Sequence, residues 1–196
     1  VLKEVLKELN LDDKNFPVNS LIGQISNAKN NMQDAREYAR NAADFHSQKI
    51  AEIFNVYEKK LLLNNALDFD DLLLLTIRLL QQNEEVRTKY QERFSYIMVD
   101  EYQDTNHVQY MLTKILSEKH HNLCVVGDVD QSIYGWRGAD IQNILDFEKD
   151  YPDAKVIKLE QNYRSTQVIL DAANAVIEHN TARKPKELWT ENPNGT

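Results

Sequence analysis

Two adjacent carboxylates, Asp100 and Glu101, follow a short apolar run that ends at Val99. A strand that ends in two carboxylates suits the hydrolysis of a magnesium-bound nucleotide. One carboxylate can hold the metal ion through water, and the other can polarise the attacking water. Strands also often end in acidic residues that only cap a surface. The pair alone therefore leaves a catalytic role and a surface role open.

Three longer motifs include or follow this pair. They are residues 100–105 (DEYQDT), 127–139 (GDVDQSIYGWRGA) and 159–166 (LEQNYRST). In order and spacing they resemble motifs II, III and IV of the superfamily-one DNA helicases of the UvrD/Rep/PcrA type, with the greatest likeness to the PcrA helicases of Gram-positive bacteria. Flanking segments at 67–72 and 141–145 extend the resemblance to essentially the whole chain.

The resemblance implies roles at the nucleotide. The family aspartate that matches Asp100 binds Mg²⁺, and the glutamate that matches Glu101 activates water. Gln131 matches a glutamine that senses the γ-phosphate, which suits an amide because it offers a donor and an acceptor; a simple turn residue is the alternative. The other implied contacts are Arg137 and Arg164 at the phosphates, the second in the manner of an arginine finger, and Tyr163 on the adenine ring.

Three aromatic side chains match residues that touch the DNA strand in this family. Tyr134 and Trp136 match motif III aromatics on which bases stack, an interaction that tolerates any sequence and is worth about 1 to 3 kcal/mol per base. Without the resemblance, two aromatics at this spacing would more often belong to a core. Phe69 matches a further DNA contact, and its place at the start of a predicted helix would suit packing equally.

The phosphate-binding loop of nucleotide hydrolases does not occur in the 196 residues, since no G-x-x-x-x-G-K-[ST] pattern is present and the chain has only 5 glycines. In the family that loop precedes the segment seen here. Without the loop's backbone cradle and lysine, we expect the isolated chain to bind ATP weakly or not at all and to show no measurable ATPase.

The elements that must position these residues follow from apolar periodicity. The first ninety or so residues read as helices, with apolar residues spaced by three and four in 1–9, 50–63 and 69–80. Asp68 suits the N-cap of the last of these, whose leucine run predicts a buried helix against a sheet. Further helices are predicted at 107–117, at 141–149 and at 168–179, the last capped by Ser165 or Thr166.

Short apolar runs at 96–99, 123–126 and 156–159 predict strands, the first two buried and parallel. Their acidic ends would then meet at one sheet edge, where ligands bind in α/β proteins. The predicted fold class is therefore α/β and helix-rich. The resemblance implies a partial RecA-like sheet of the P-loop NTPase class with an all-helical insertion, divided into an insertion subdomain (1–67), the later part of the first RecA-like domain (68–154) and the start of the second (155–196).

Composition and charge limit the kinds of partner and location that are expected for the protein. A formal charge of −8 argues against a protein that coats nucleic acid through a broad basic face, and the basic cluster Arg183, Lys184 and Lys186 favours a solvated face over a phosphate contact. No segment reads as a membrane span or signal peptide, so a cytoplasmic protein is expected. Cys124 is expected to be a small buried hydrophobe, and the five histidines show no metal-ligand spacing.

The resemblance implies a piece of an ATP-dependent helicase that uses ATP and Mg²⁺ and moves 3′ to 5′ on single-stranded DNA, or on duplex DNA with a 3′ tail. It also implies a role in repair or replication, a bacterial nucleoid location, and repair, replication-initiator or RNA polymerase partners. Two alternatives stay open. A non-catalytic helical module that binds DNA or protein would explain the missing loop, and a helicase-nuclease subunit would carry a further nuclease domain.

Overall fold

A computed structural model describes residues 1–180 and 186–194, apart from the side chain of Arg137. The chain divides into two compact units. The first unit is Val1–Met98 with Asn106–Cys124, and the second is Val99–Thr105 with Val125–Thr196. Each unit therefore draws on two separate stretches of the chain.

The first unit is built of helices. They are α1 (Leu2–Glu8), α2 (Val18–Asn30), α3 (Ala35–Asn41), α4 (Phe45–Leu63), α5 (Phe69–Gln82), α6 (Glu84–Arg93) and α7 (His107–Ser117). Most of the later helices begin with a capping box, in which the N-cap side chain accepts from a backbone N–H and the third helical residue bonds back. The N-cap residues that do so are Asp34, Asp44, Asp68 and Asn106. The prediction of a helical N-terminal half is confirmed.

Helix α5 begins at the predicted cap, because Asp68 Oδ1 accepts a 2.9 Å hydrogen bond from the Asp71 backbone N–H. Its inner face buries Leu74, Ile77 and Leu80. The expectation of burial on all sides against a sheet is wrong, since Leu72 on the other face is exposed and α5 packs on α2, α6 and α7. The leucine run supplies one stripe to a helical core and leaves a second apolar stripe uncovered.

The core of the first unit lies where α1, α2 and α4 meet. Val5, Ile53 and Phe54 have no exposed surface there, and burial of such a side chain stabilises the fold by about 1.5 to 3 kcal/mol. A second cluster joins α5 to α7 through Ile77 and Val108. The first cluster therefore holds α1, α2 and α4 together, and the second holds α5 against α7.

A buried charge lies between those helices. Lys29, on α2, is 0% exposed, and its Nζ lies 2.7 Å from Asp68 Oδ2 and 2.6 Å from Asp71 Oδ1. The Tyr57 hydroxyl donates a 3.0 Å hydrogen bond to the same Asp68 oxygen. A buried ammonium needs such partners, because an unpaired charge in the interior is strongly unfavourable.

Strands β1 (Ile97–Val99) and β2 (Leu123–Val125) form a two-stranded parallel sheet. In each strand the middle residue is exposed and its neighbours are half-buried. Met98 and Cys124 therefore face solvent, and the expectations that both strands are fully buried and that Cys124 is a buried hydrophobe are wrong. Successive side chains along a strand point to opposite faces of the sheet, and only one face of this sheet is covered.

The second unit contains α8 (Gln142–Leu145), α9 (Phe147–Asp150) and α10 (Gln167–Ile177), with 3-10 turns at Tyr102–Asp104, Val129–Gln131 and Gly135–Arg137. The predicted helix at 141–149 is interrupted at Asp146, which ends α8 and precedes α9. Thr166 is the N-cap of α10, as one of the two predicted candidates, but its side chain makes no capping hydrogen bond.

The third predicted strand is not formed. Residues 156–159 have no strand assignment, and Ile157 and Leu159 are exposed. A strand needs a hydrogen-bonding neighbour, and β1 and β2 pair only with each other. Just after this segment, Gln161 forms an isolated parallel bridge with Trp189. Separately, no helix within the described ranges has the length and apolar character needed to cross a membrane.

Candidate functional site

The two carboxylates lie at the carboxyl end of β1, as the apolar run predicted. Both Asp100 and Glu101 are exposed. The Glu101 backbone is left-handed, with φ 50° and ψ 42°, and its N–H donates a 2.9 Å hydrogen bond to Asp100 Oδ1. Non-glycine residues adopt this conformation rarely, and it is concentrated at functional sites. The Tyr102 backbone N–H then donates a 2.9 Å hydrogen bond to the Val126 carbonyl oxygen, so the chain stays beside the end of β2.

Gln103 lies directly beneath this turn and is 1% exposed. Its Nε2 donates a 2.8 Å hydrogen bond to Glu101 Oε2, and its Oε1 accepts a 3.0 Å hydrogen bond from the Asp128 backbone N–H. Motif II and motif III are thus joined by one amide side chain. Gln103 was not predicted as a site residue, since the only signal in the sequence is an uncharged polar residue inside a motif.

Gly127 allows the close approach that this bond requires. A Cβ placed on Gly127 would lie 2.6 Å from Gln103 Oε1 and 2.8 Å from Ile144 Cδ1. Both separations are shorter than van der Waals contact, so a larger residue would displace the amide or the α8 side chain. The absence of a side chain at residue 127 therefore lets the backbone after β2 reach Gln103 without displacing either group.

Asp128 connects the buried amide to the predicted γ-phosphate sensor. Its Oδ2 accepts a 2.8 Å hydrogen bond from Gln131 Nε2, and Lys186 forms an ion pair with its other oxygen. Burial by itself would raise the pKa of Asp128, but the hydrogen bonds from Lys186 and Gln131 outweigh burial and hold this pKa below its ordinary value. Asp128 is therefore a carboxylate at neutral pH.

Lys186 has a partner that its sequence context did not indicate. Besides Asp128, its Nζ lies 3.7 Å from Asp130 Oδ2, and the side chain is mostly covered. The interpretation of this lysine as part of a solvated basic face is wrong, because two motif III carboxylates neutralise it. Arg183 and Lys184, the other members of that cluster, lie outside the described residues.

The motif III aromatics are not part of a core. Trp136 is 76% exposed and Tyr134 is 37% exposed, and their ring centroids are 6.4 Å apart with a tilt of 48°. Two exposed rings on one short turn offer flat apolar surfaces on which bases could stack. Arg137 occupies the same 3-10 turn, and its side chain lies outside the described structure.

The motif IV residues follow the bridge at Gln161. Tyr163 is exposed and its hydroxyl donates a 2.9 Å hydrogen bond to Gln161 Oε1. Asn162 Oδ1 accepts from the Arg164 and Ser165 backbone N–H groups at 2.9 and 2.8 Å, which fixes the turn before α10. The Arg164 side chain is exposed, and the described contacts join neither it nor Tyr163 to Glu101 or Gln131.

Phe69 belongs to the first unit, where it is the first residue of α5. Its side chain is 90% exposed, so the packing role that the sequence left open is not observed. The Lys29 ion pairs hold Asp68 and Asp71 on either side of it in the chain. The ring therefore projects from a fixed helix start and does not belong to the hydrophobic core.

The residues fit a magnesium ion that is held mainly by water and phosphate. Among the residues that the structure describes, no group of three or more His, Cys, Asp or Glu side chains is arranged to hold a metal. Asp100 supplies one exposed carboxylate at the sheet edge. Mg²⁺ is commonly bound by one or two carboxylates together with substrate phosphates and several waters, so this donor set is compatible with it.

Comparison with known proteins shows the family to which the chain belongs. Residues 1–152 match the UvrD/REP helicase N-terminal domain, and residues 157–196 match the UvrD-like helicase C-terminal domain. The ATP-dependent DNA helicases PcrA of Staphylococcus aureus strain Mu50 and of Staphylococcus epidermidis strain ATCC 12228 are each 58% identical to the chain over 195 residues. The match covers 100% of this chain but only 27% of each of those proteins.

Proposed function

Because the chain belongs to the UvrD/REP helicase family, we propose that it is the middle part of an ATP-dependent DNA helicase that moves 3′ to 5′ along single-stranded DNA. The observation that carries the proposal is the hydrogen-bonded path from Glu101 through Gln103 and Asp128 to Gln131. Such a path is expected where a water-activating carboxylate must respond to a phosphate sensor. A helical module without catalysis would have no use for it.

In this proposal the chain spans parts of two motor domains. Residues 1–67 are a helical insertion subdomain, residues 68–154 are the later part of the first RecA-like domain, and residues 155–196 begin the second. The parallel pairing of β1 with β2 and the acidic residues at their carboxyl ends support a RecA-like sheet. Further strands of that sheet would come from other parts of the whole protein.

The nucleotide roles follow from position and chemistry. Asp100 would hold Mg²⁺ beside the ATP phosphates, and Glu101 would orient and deprotonate the attacking water. Gln131 would sense the γ-phosphate, while Arg137 and Arg164 would neutralise charge on the phosphates and Tyr163 would stack on the adenine. When bound, Mg²⁺ supplies charge that stabilises the leaving phosphate groups.

The DNA roles fall to the exposed aromatic residues. Trp136, Tyr134 and Phe69 would stack on bases of the single strand, which suits a motor because stacking does not depend on sequence. The net charge of −8 is compatible with this mode, since stacking in a narrow groove does not need a broad basic surface. Nucleotide-driven domain closure would then pass bases along these rings.

The cellular setting is proposed from the family. We place the protein in the bacterial cytoplasm at the nucleoid, acting on 3′-tailed DNA in repair or replication. Repair proteins, a replication initiator or RNA polymerase are the partner classes. The isolated 196-residue chain, which lacks a phosphate-binding loop, is proposed to be inactive as an ATPase.

The test compares the full-length protein with the isolated chain. Phosphate release is measured with and without single-stranded DNA for the full-length wild type, its Glu101→Gln variant and the 196-residue chain. We expect DNA-stimulated hydrolysis only in the full-length wild type, because Glu101 and the missing loop are both needed. Full-length protein that hydrolyses no ATP, or whose activity survives Glu101→Gln, would contradict the proposal. Hydrolysis by the isolated chain would contradict its proposed inactivity.

A further inference from the structure

We propose that Gln103 is a positioning residue that holds the Glu101 carboxylate in one orientation and connects it to the motif III segment that carries Gln131. The inference deepens the proposed function and rests on it. Gln103 would not touch ATP or water itself. It would act through Glu101, whose carboxylate it contacts at 2.8 Å.

The orientation of the Gln103 amide is determined by its two neighbours. The Asp128 backbone N–H can only donate, so the atom that faces it must be the amide oxygen. The Glu101 carboxylate can only accept when ionised, so the atom that faces it must be the amide nitrogen. A flipped amide would place two donors together on one side and two acceptors on the other. Gln103 therefore has one stable orientation between these partners.

Packing also restricts the side chain. Gln103 is 1% exposed, and the position of Gly127 leaves no space for a Cβ near its amide oxygen. A second contact of 3.5 Å from Nε2 to Asp104 Oδ2 lies on the same side as Glu101. Rotation of the amide would break a hydrogen bond in a buried site, which is unfavourable because the groups could not be solvated by water.

Glu101 gains the most from this contact. Its side chain is exposed, and a free glutamate there would populate several rotamers. A hydrogen bond to a charged acceptor is stronger than one between neutral groups, so the amide favours the single rotamer that reaches it. A general base must be held in position to be effective, and a misplacement of about 1 Å can slow a reaction by about 100-fold.

The same amide joins Glu101 to Gln131. The Gln131 side chain binds Asp128 Oδ2 at 2.8 Å, and the backbone N–H of Asp128 binds Gln103 at 3.0 Å. Any shift of Gln131 toward a phosphate pulls on Asp128, and a shift of Asp128 changes the support of the Gln103 amide. Water activation and phosphate sensing are therefore mechanically connected through Gln103.

The test uses two substitutions of Gln103 in the full-length helicase. Gln103→Glu keeps the shape but turns a carboxyl group toward Glu101 and Asp104, and repulsion between like charges disfavours full ionisation of this group. Gln103→Met keeps the volume and removes both hydrogen bonds. DNA-stimulated ATPase is measured from pH 5 to pH 9 as kcat and KM, together with the Kd for single-stranded DNA and the thermal melting curve.

The two variants should differ in pH dependence. For Gln103→Met we expect kcat lower by about 10- to 100-fold with KM and Kd within about 2-fold of wild type. The acid limb, which is the low-pH side of the plot of kcat against pH, should move up only slightly, because the loss of one hydrogen bond disfavours the carboxylate less than a facing carboxyl group does. For Gln103→Glu we expect the acid limb of kcat to move up by about one pH unit or more. A purely structural role would affect both variants alike, through stability and binding, without moving the limb. The matched control is Gln142→Glu, the same substitution at an exposed glutamine of α8, which should retain the wild-type profile.

The results distinguish a failure of the Gln103 inference from a failure of the helicase proposal. Folded Gln103 variants with wild-type kcat and acid limb overturn the inference while leaving the helicase proposal standing. Wild-type protein without DNA-stimulated hydrolysis overturns both. If a Gln103 variant does not melt cooperatively, Gly127→Ala in an Ile144→Val background decides by comparison with Ile144→Val alone. Valine lacks the Cδ1 atom that would also meet the added Cβ, so the Gln103 amide is the group displaced, with its chemistry unaltered. Reduced kcat at unchanged KM in that variant supports the inference, and wild-type kcat overturns it.

Discussion

Lys29 Nζ lies 2.6 Å from Asp71 Oδ1, and the lysine side chain has no exposed surface. The pair joins α2 to the first turn of α5, where Asp68 also accepts a hydrogen bond from the same ammonium group. Phe69 lies in that turn, so an interior ion pair determines the direction in which an exposed aromatic ring projects. The helix start is held by charge as well as by its capping box.

Replacement of this lysine should strongly destabilise the first unit. Lys29→Met leaves the carboxylates of Asp68 and Asp71 without a counter-charge in a buried site, and the expected loss is about 3 to 5 kcal/mol in the free energy of unfolding. Urea denaturation of the 196-residue chain, followed by circular dichroism, measures it. Lys60→Met removes an ion pair with Glu8 at the surface and should leave the midpoint almost unchanged. Equal midpoints for the two variants would contradict the prediction.

A second prediction concerns Asp34, whose side chain caps α3 and lies 3.0 Å from Arg78. Burial by itself would raise the pKa of Asp34, but the Glu37 backbone N–H and Arg78 lower it below 3.8 overall. A lowered folded-state pKa stabilises the fold above the unfolded pKa, and this is lost as pH falls through the folded value. Asp34→Asn, which keeps a capping oxygen, should lower the free energy of unfolding from urea denaturation by under about 1 kcal/mol at pH 7, and this loss should shrink as the pH falls through the folded-state pKa. A loss that does not depend on pH would contradict the prediction.

Glu58 should respond in the opposite direction. Burial raises the pKa of Glu58 above its ordinary value, despite a 3.3 Å hydrogen bond from the Ala35 backbone N–H. A raised folded-state pKa stabilises the fold at low pH, and this contribution is lost as pH rises through the folded value. Glu58→Gln keeps the acceptor and should therefore raise the denaturation midpoint at pH 7 but not at pH 3. A lower midpoint at pH 7 would show that the charge of Glu58 is favourable in the fold.

Phe69 should contribute to DNA binding without contributing to stability. Phe69→Ala in the full-length protein should weaken single-stranded DNA binding by about 1 to 3 kcal/mol, measured by fluorescence anisotropy, and should leave the melting temperature unchanged. Phe45 is a matched control, because it is also an exposed phenylalanine at the first position of a helix after an aspartate cap. If both alanine variants bind DNA alike, Phe69 has no specific role.

Trp136 offers a direct optical test, because the chain contains only 2 tryptophans. In a Trp189→Phe variant of the full-length protein, with any tryptophans outside this segment also replaced by phenylalanine, the emission comes from Trp136 alone. Base stacking on its exposed ring should quench the fluorescence when oligo-dT is added. The reciprocal variant, Trp136→Phe with Trp189 kept, should show little change. Unchanged emission from Trp136 at saturating DNA would exclude stacking on that ring.

The sequence predicted those parts of the fold that local signals control. Asp68 began its helix where a short polar side chain preceded an apolar run, and the helix at 107–117 was found with the same bounds. The strand predicted at 156–159 does not form, because strand formation depends on a hydrogen-bonding neighbour strand, which composition does not reveal. The prediction that Cys124 is buried was wrong for a related reason, since an apolar run does not indicate whether one sheet face or two will be covered.

The candidate site shows the same limit. Asp100 and Glu101 were predicted at a strand end because the pattern is contiguous in sequence, and they are found there. Gln103 was not recognised, because its role depends on a hydrogen bond to residue 128, which is distant in the chain. Lys186 was interpreted as a surface charge for the same reason, since its partners Asp128 and Asp130 are separated from it by more than fifty residues.

The left-handed backbone at Glu101 gives stability and the proposed activity opposite preferences for the residue at this position. That conformation costs a residue with a Cβ about 1 to 2 kcal/mol, and asparagine or glycine tolerates it better. Substitution of Glu101 by asparagine should therefore relieve strain while removing the predicted base. A laboratory library sorted only for heat resistance would lose this glutamate, whereas one sorted for DNA unwinding would retain it. Thermostabilisation of the protein should leave this turn unaltered.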